Sequence, residues 1–111
     1  MSARRFAVEL TQGAEDDLAA IHAWLAANRS PDDADALLDR LLEAVGTLER
    51  FPQRGSVPQE LQALGISDFR QLLLAPYRLI YRVAGDTVYV FVIADGRRDM
   101  QALLERRLLQ G

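Results

Sequence analysis

At 111 residues, half of them hydrophobic and none of them cysteine, the chain can bury one modest core and can hold no disulfide or thiolate metal site. Its formal net charge of −3 argues against general nucleic-acid affinity, and no apolar run approaches the roughly 20 residues needed to cross a bilayer. The opening MSARRFAVEL lacks the apolar stretch and small-residue cleavage site of a secretion signal, so a cytoplasmic protein is expected. The distribution of charge says more than its sum. All 13 basic residues are arginine. Residues 1–49 hold four arginines against ten acids, net −6, while residues 50–111 hold nine against six, net +3. Such a dipole suits an acidic partner on one side of the molecule.

Phe6 to Leu10 alternates weakly and predicts a short first strand. Thr11 is placed to cap a helix whose early turns carry Glu15, Asp16 and Asp17, where the helix dipole favours anions. Leu18, Ile21 and Leu25 recur at helical spacing, with Trp24 beside them, and extend that helix to about Asn28. Ser30-Pro31-Asp32-Asp33 then supplies a cap, a proline at the first helical position and an acid three residues after the cap. The second helix carries Leu37, Leu38, Leu41, Leu42, Val45 and Leu48 as one stripe. Two helices joined by so short a turn pack antiparallel, as scaffold rather than chemistry.

Phe51-Pro52 ends the second helix, because the residue before a proline is pushed out of helical geometry. Gln53 to Ser67 reads as a loop with one helical turn near Glu60–Leu64. Strands follow at about Phe69–Leu74, Arg78–Ala84 and Thr87–Ala94, the last two joined by a Gly85-Asp86 turn. Val88–Ile93 is apolar on both faces and marks a central strand. On the strand before it, Tyr77, Leu79, Tyr81 and Val83 share one face and Arg78, Ile80 and Arg82 the other. If the first face meets the helices, the second lines the open side of the sheet. A compact helix closes the chain. The expected fold is α+β: a single domain over residues 1–111, β-α-α-β-β-β with a C-terminal helix, the helical hairpin on one face of an antiparallel sheet.

The open side should gather Arg78 and Arg82 with Arg70 from the neighbouring strand and Arg97 and Arg98 from the loop after the last strand, with Arg54 near them. Clustered guanidiniums hold carboxylates or phosphates bidentately. The plainer reading pairs them with Asp68, Asp86, Asp95 and Asp99 on a solvated surface. Other chemistry is thinly supported. His22, the single histidine, reads as a packing or solvent-edge residue, and the acids from Asp32 to Asp39 as helix-start carboxylates, so no metal and no cofactor are expected. The four serines have no nearby base, and the glycines are scattered as turns and ends. Tyr77, Tyr81, Tyr89 and Phe91 could stack on bases but read as core.

The block YRLIYRVAGDTVYVFVIADGRRDMQALLERRLL from Tyr77 to Leu109 resembles the C-terminal half of the RelE/ParE superfamily, the toxins of bacterial type II toxin–antitoxin pairs. Its ending GRRDMQALLERRL, and the opening VELTQGAEDDLAAI, are closest to the ParE branch. That resemblance implies a growth-inhibiting toxin of the plasmid-stabilisation kind, which poisons DNA gyrase by binding and is not an enzyme in its own right. It implies a cognate antitoxin in a hetero-oligomer, no membrane, and no direct nucleic-acid binding without the target. The target-binding set is then Arg70, Arg78, Arg82, Arg97 and Arg98, and the antitoxin-binding set Arg78, Ile80 and Arg82.

The alternative within the superfamily is a ribosome-dependent mRNA endonuclease of the RelE type. Those enzymes carry two lysines on the strand before the YRL strand, an arginine in YRL, an arginine after the last strand, and a tyrosine six residues beyond it. Arg78 and Arg98 match the two arginines and Arg70 one lysine, but Leu72 stands at the second lysine and Leu104 at the tyrosine. Related ribonucleases use a late histidine, and none follows Ile93. Cleavage of a phosphodiester needs groups that move protons, and arginine is a poor shuttle at neutral pH. By this resemblance the catalytic set is incomplete.

Overall fold

The computed structural model describes residues 4–110. Strand β1 (Ala7–Leu10) leads into helix α1 (Gln12–Asn28), whose cap is Thr11: its hydroxyl accepts from the Ala14 amide at 3.2 Å. Helix α2 (Pro31–Gly46) starts as its sequence dictates, with Ser30 accepting from the Asp33 amide at 3.0 Å and Pro31 where no amide is needed. The two helices bury Ala14, Leu18, Leu25, Ala34, Leu41 and Val45. The α2 stripe is narrower than its leucines suggest, since Leu42 points outward and is 43% exposed. A 3-10 turn (Thr47–Glu49) ends the hairpin, and a one-turn helix α3 (Gln59–Gln62) sits in the long loop.

Strands β2 (Phe69–Leu74), β3 (Tyr77–Ala84) and β4 (Thr87–Asp95) follow, and the sheet order is β1-β4-β3-β2. The fold is α+β as expected, but the sheet is mixed. The three consecutive strands are antiparallel, whereas β1 adds parallel to β4, pairing Ala7–Leu10 with Thr87–Val90. A hairpin of helices carries the chain from β1 across the sheet face, and that crossover delivers it back in parallel register. Between β3 and β4 the register slips by one residue: Tyr81 faces Val90 and Ile80 faces Val92, leaving Phe91 as a bulge.

Leu79, Tyr81, Val88, Val90 and Ile93 turn toward the helical hairpin and pack on Leu18, Leu41, Val45 and Leu48. Each fully buried aliphatic side chain there contributes about 1.5–3 kcal/mol. The opposite face is not open. Helix α4 (Met100–Leu104), continued by a π-helical turn (Glu105–Leu109), folds back over it together with α3. Ile80, Val92 and Ala94 are buried there beneath Leu61, Met100, Leu103 and Leu104. A central strand apolar on both faces needs cover on both, and the C-terminal segment supplies the second cover.

Candidate functional site

The second cover decides the fate of the predicted arginine face. Ile80 is fully buried, so it cannot stand in solvent between two arginines. Arg78 is drawn inward: Nη1 and Nη2 donate to the two Glu60 carboxylate oxygens at 2.8 Å each, and Nε donates to Gln71 at 2.8 Å. Its side chain is only 13% exposed and that of Glu60 17%. The Arg78 hydrogen bonds hold the Glu60 carboxyl below its usual pKa, against the opposing effect of burial. This bidentate pair ties α3 to β3 and works as a clamp.

Arg70 is also occupied, donating from Nη1 to the Gly55 carbonyl at 2.6 Å and to the Gln53 carbonyl at 3.3 Å. Arg82 is exposed, its guanidinium 5.9 Å from the centre of the Phe69 ring. Arg54 donates to the Thr47 hydroxyl at 3.0 Å. Those arginines are thus spread over separate tasks. The reason is local: Glu60 and the Gly55 carbonyl come from the loop that sequence periodicity cannot place.

Arg97 and Arg98 behave differently. Both stand exposed on the turn after β4. Arg97 donates from Nε to Asp95 at 2.9 and 3.2 Å, and its main-chain amide donates to the same carboxylate at 2.9 Å. The Arg97 side-chain bonds, then its amide, hold the Asp95 pKa down to about 2. Arg98 has no ion-pair partner among the described residues.

These two arginines border a groove of about 570 Å³ between α1 and the ends of β3 and β4. Ala20, Ile21 and Trp24 form its helical wall, and Tyr77, Ile93 and Ala94 its sheet wall. Trp24 is 62% exposed, a large aromatic surface left to solvent. The sequence places Trp24 beside the Leu18–Ile21–Leu25 stripe without giving it a role; next to the stripe rather than on it, its ring faces outward.

At the inner end of the groove Asp17 bonds three ways. It accepts from the Ile93 amide at 2.9 Å and from Arg107 at 3.0 and 3.1 Å. Arg107 donates onward to the Phe91 carbonyl at 2.9 Å. The Arg107 guanidinium passes so close to Gly13 that a Cβ there would lie 2.4 Å from Nη2. This lock fastens the C-terminal turn to α1 and β4.

Leu104 is fully buried against Ile80 and Val92, and Leu72 is buried on the hairpin side. Neither position points into solvent where a reacting group would be needed. Tyr81 is likewise buried, its hydroxyl accepting from the Gly55 amide at 3.0 Å. His22 lies at the solvent edge with Nε2 2.8 Å from Asp35. No group of three or more metal-binding side chains gathers among the described residues.

No curated protein sequence is significantly similar to this chain. Among solved structures, the chain resembles that described as the chromosomal ParDE toxin–antitoxin system from P. aeruginosa, with a TM-score of 0.70 at 21% identity, over 84% of this chain and 98% of that one. It also resembles the RelBE2 toxin–antitoxin complex from Mycobacterium tuberculosis, with a TM-score of 0.61 at 23% identity, over 85% and 94%. These two likenesses establish the fold. Residues 8–100 match the family described as the ParE toxin of the type II toxin–antitoxin system parDE. With its helical hairpin, four-stranded sheet and C-terminal helix in place, the chain belongs to the ParE toxin family of type II toxin–antitoxin systems.

Proposed function

We propose that this toxin acts by binding and poisoning DNA gyrase, that it does so without catalysing a reaction of its own, and that a cognate antitoxin holds it inactive in a hetero-oligomer. The observation that carries this reading is Leu104, fully buried at the position where the ribonuclease branch has its proton-transferring tyrosine. A hydrocarbon side chain can neither take nor give a proton, and the buried Leu72 removes a second member of that set. The exposed Arg97 and Arg98 supply charge and bidentate donors for a macromolecular surface, which suits capture of a target.

Purified protein should inhibit supercoiling by gyrase or trap cleaved DNA, while leaving ribosome-bound mRNA uncut. The second reading, an mRNA endonuclease of the RelE type, draws support from the likeness to the M. tuberculosis RelBE2 complex. Cleavage of mRNA at codon-defined positions, with gyrase unaffected, would establish that reading and remove ours.

A further inference from the structure

The edge of β4 is only half covered. Strand β1 ends at Leu10 opposite Val90, where the chain turns into α1. Thr11 extends the pairing by one bond, its amide donating to the Val90 carbonyl at 3.0 Å. The Phe91 bulge turns the next carbonyl to the same side, where Arg107 takes it. The Ile93 amide also points there, to Asp17, while the Gly96 amide on the other side reaches the Pro76 carbonyl at 2.7 Å. Alternation along the strand therefore turns the Ile93 carbonyl and the Asp95 amide to the outer edge, where no strand of the described residues pairs with them. The groove walled by Ala20, Ile21 and Trp24 runs beside that stretch.

Three properties coincide here: a strand edge left unpaired, an apolar wall with an exposed tryptophan, and a cation that makes no ion pair, all among the described residues. The two acids that line the groove are ion-paired, Asp17 with Arg107 and Asp95 with Arg97, while the Arg98 guanidinium makes no ion pair among the described residues. We propose that the gap beyond β1 is the docking site for an extended segment of a partner protein, which adds as a short strand on Ile93–Asp95. Its main chain pairs with the Ile93 carbonyl and the Asp95 amide. One apolar side chain lies on Ile21 and Trp24, and a neighbouring aspartate or glutamate meets Arg98. Strand addition draws affinity from main-chain bonds and specificity from alternate side chains. The inference rests on the toxin–antitoxin reading above and assigns the partner's place: an antitoxin bound here covers Arg98 directly, so docking and neutralisation are one event.

The test uses the full chain and the product of the open reading frame beside its gene, co-purified. In the complex, exchange of the Asp95 amide should slow by about tenfold or more relative to the free chain. Ala20→Arg fills the groove from an exposed helical position, and Arg98→Glu reverses its charge; each should weaken the complex by about tenfold or more with the thermal midpoint unchanged. Leu73→Arg, on the outer strand at the other end of the sheet, should leave affinity as it was. An intact complex with Ala20→Arg and an Asp95 amide still exchanging freely would overturn this placement while leaving the toxin–antitoxin pairing standing. Loss of affinity with Leu73→Arg alone would move the partner to the opposite edge. Asp95 protection that appears in the free chain as concentration rises would mean that a second copy occupies the gap. No binding at all by the neighbouring gene product would remove both this inference and the reading beneath it.

Discussion

Arg78 on β3 and Arg98 on the turn after β4 carry the same side chain, yet their surroundings give them opposite work. Arg78 meets Glu60 in a sheltered, bidentate pair, and its charge is spent inside the fold. Arg98 stands on an exposed turn and makes no ion pair among the described residues. An arginine in a sequence announces a charge, and only its neighbours decide whether that charge is available. Burial with a matched carboxylate makes a structural clamp; exposure beside an apolar groove makes a contact for another molecule.

The comparison breaks most easily at its structural end. Arg78→Ala leaves Glu60 as an unmatched, mostly buried charge and should cost roughly 3 kcal/mol of folding stability, read from the urea midpoint. Leu41→Ala, which opens a cavity in the helical hairpin, sets the scale at roughly 2–5 kcal/mol. If Arg78→Ala were neutral, the clamp would be ornamental and the contrast with Arg98 empty.

Acid should sharpen the same contrast with a smaller effect. The folded Glu60 carboxyl ionises below its ordinary value of 4.5, and that of Asp95 at about 2 against 3.8. Groups so depressed add stability that is fully present above their unfolded pKa and fades as pH falls through the folded value. Denaturation midpoints should thus hold steady above about pH 5 and decline below it. Arg78→Ala should flatten the part of that decline due to Glu60, whereas Arg98→Ala should leave it intact. A decline unchanged by Arg78→Ala would place the acid sensitivity elsewhere.

The smallest expected change in stability is the most telling for function. Replacing Arg97 and Arg98 together by alanine should shift stability by less than about 0.5 kcal/mol, as exposed charges do. Growth inhibition on induced expression should nevertheless fall. Should the double change unfold the domain, these arginines are anchors and the functional half of the comparison collapses.

Much of the scaffold was legible because its signals are local. Thr11 and Ser30 announce helix starts through their own hydroxyls, Pro31 confirms the second, and Val88–Ile93 declares itself central by being apolar throughout. The division of β3 into two faces was also legible, since Leu79 and Tyr81 do turn to the hairpin and Ile80 away from it. Alternation tells which residues share a face and is silent about what lies over it, so α3 was free to take up Arg78 and, together with α4, to cover Ile80. The groove depends on Asp17 meeting Arg107 and on Trp24 coming beside Arg98, contacts between opposite ends of the chain that no window of periodicity spans. The Phe91 bulge was hidden for another reason: an extra apolar residue in an apolar strand leaves the composition unchanged.

The loop before β2 has a consequence for solubility. Ser56 pairs with Gln71 in both directions, its amide donating at 3.3 Å and its carbonyl accepting at 2.7 Å, so this outer strand does not present a bare edge at its middle. The loop is held there by the Tyr81 hydroxyl on the Gly55 amide and by Arg70 on the Gly55 carbonyl. No larger residue fits at that point, because a Cβ on Gly55 would lie 2.4 Å from the Gln71 carbonyl oxygen and 2.7 Å from the Tyr81 hydroxyl. Unpaired edges are templates for edge-to-edge aggregation, and a flap of the chain's own backbone is one way to blunt them. Gly55→Ala should lift that flap and drive the protein toward insoluble, β-rich aggregates during expression. The glycine thereby helps protect the toxin from itself, blunting the middle of its outermost strand against indiscriminate pairing.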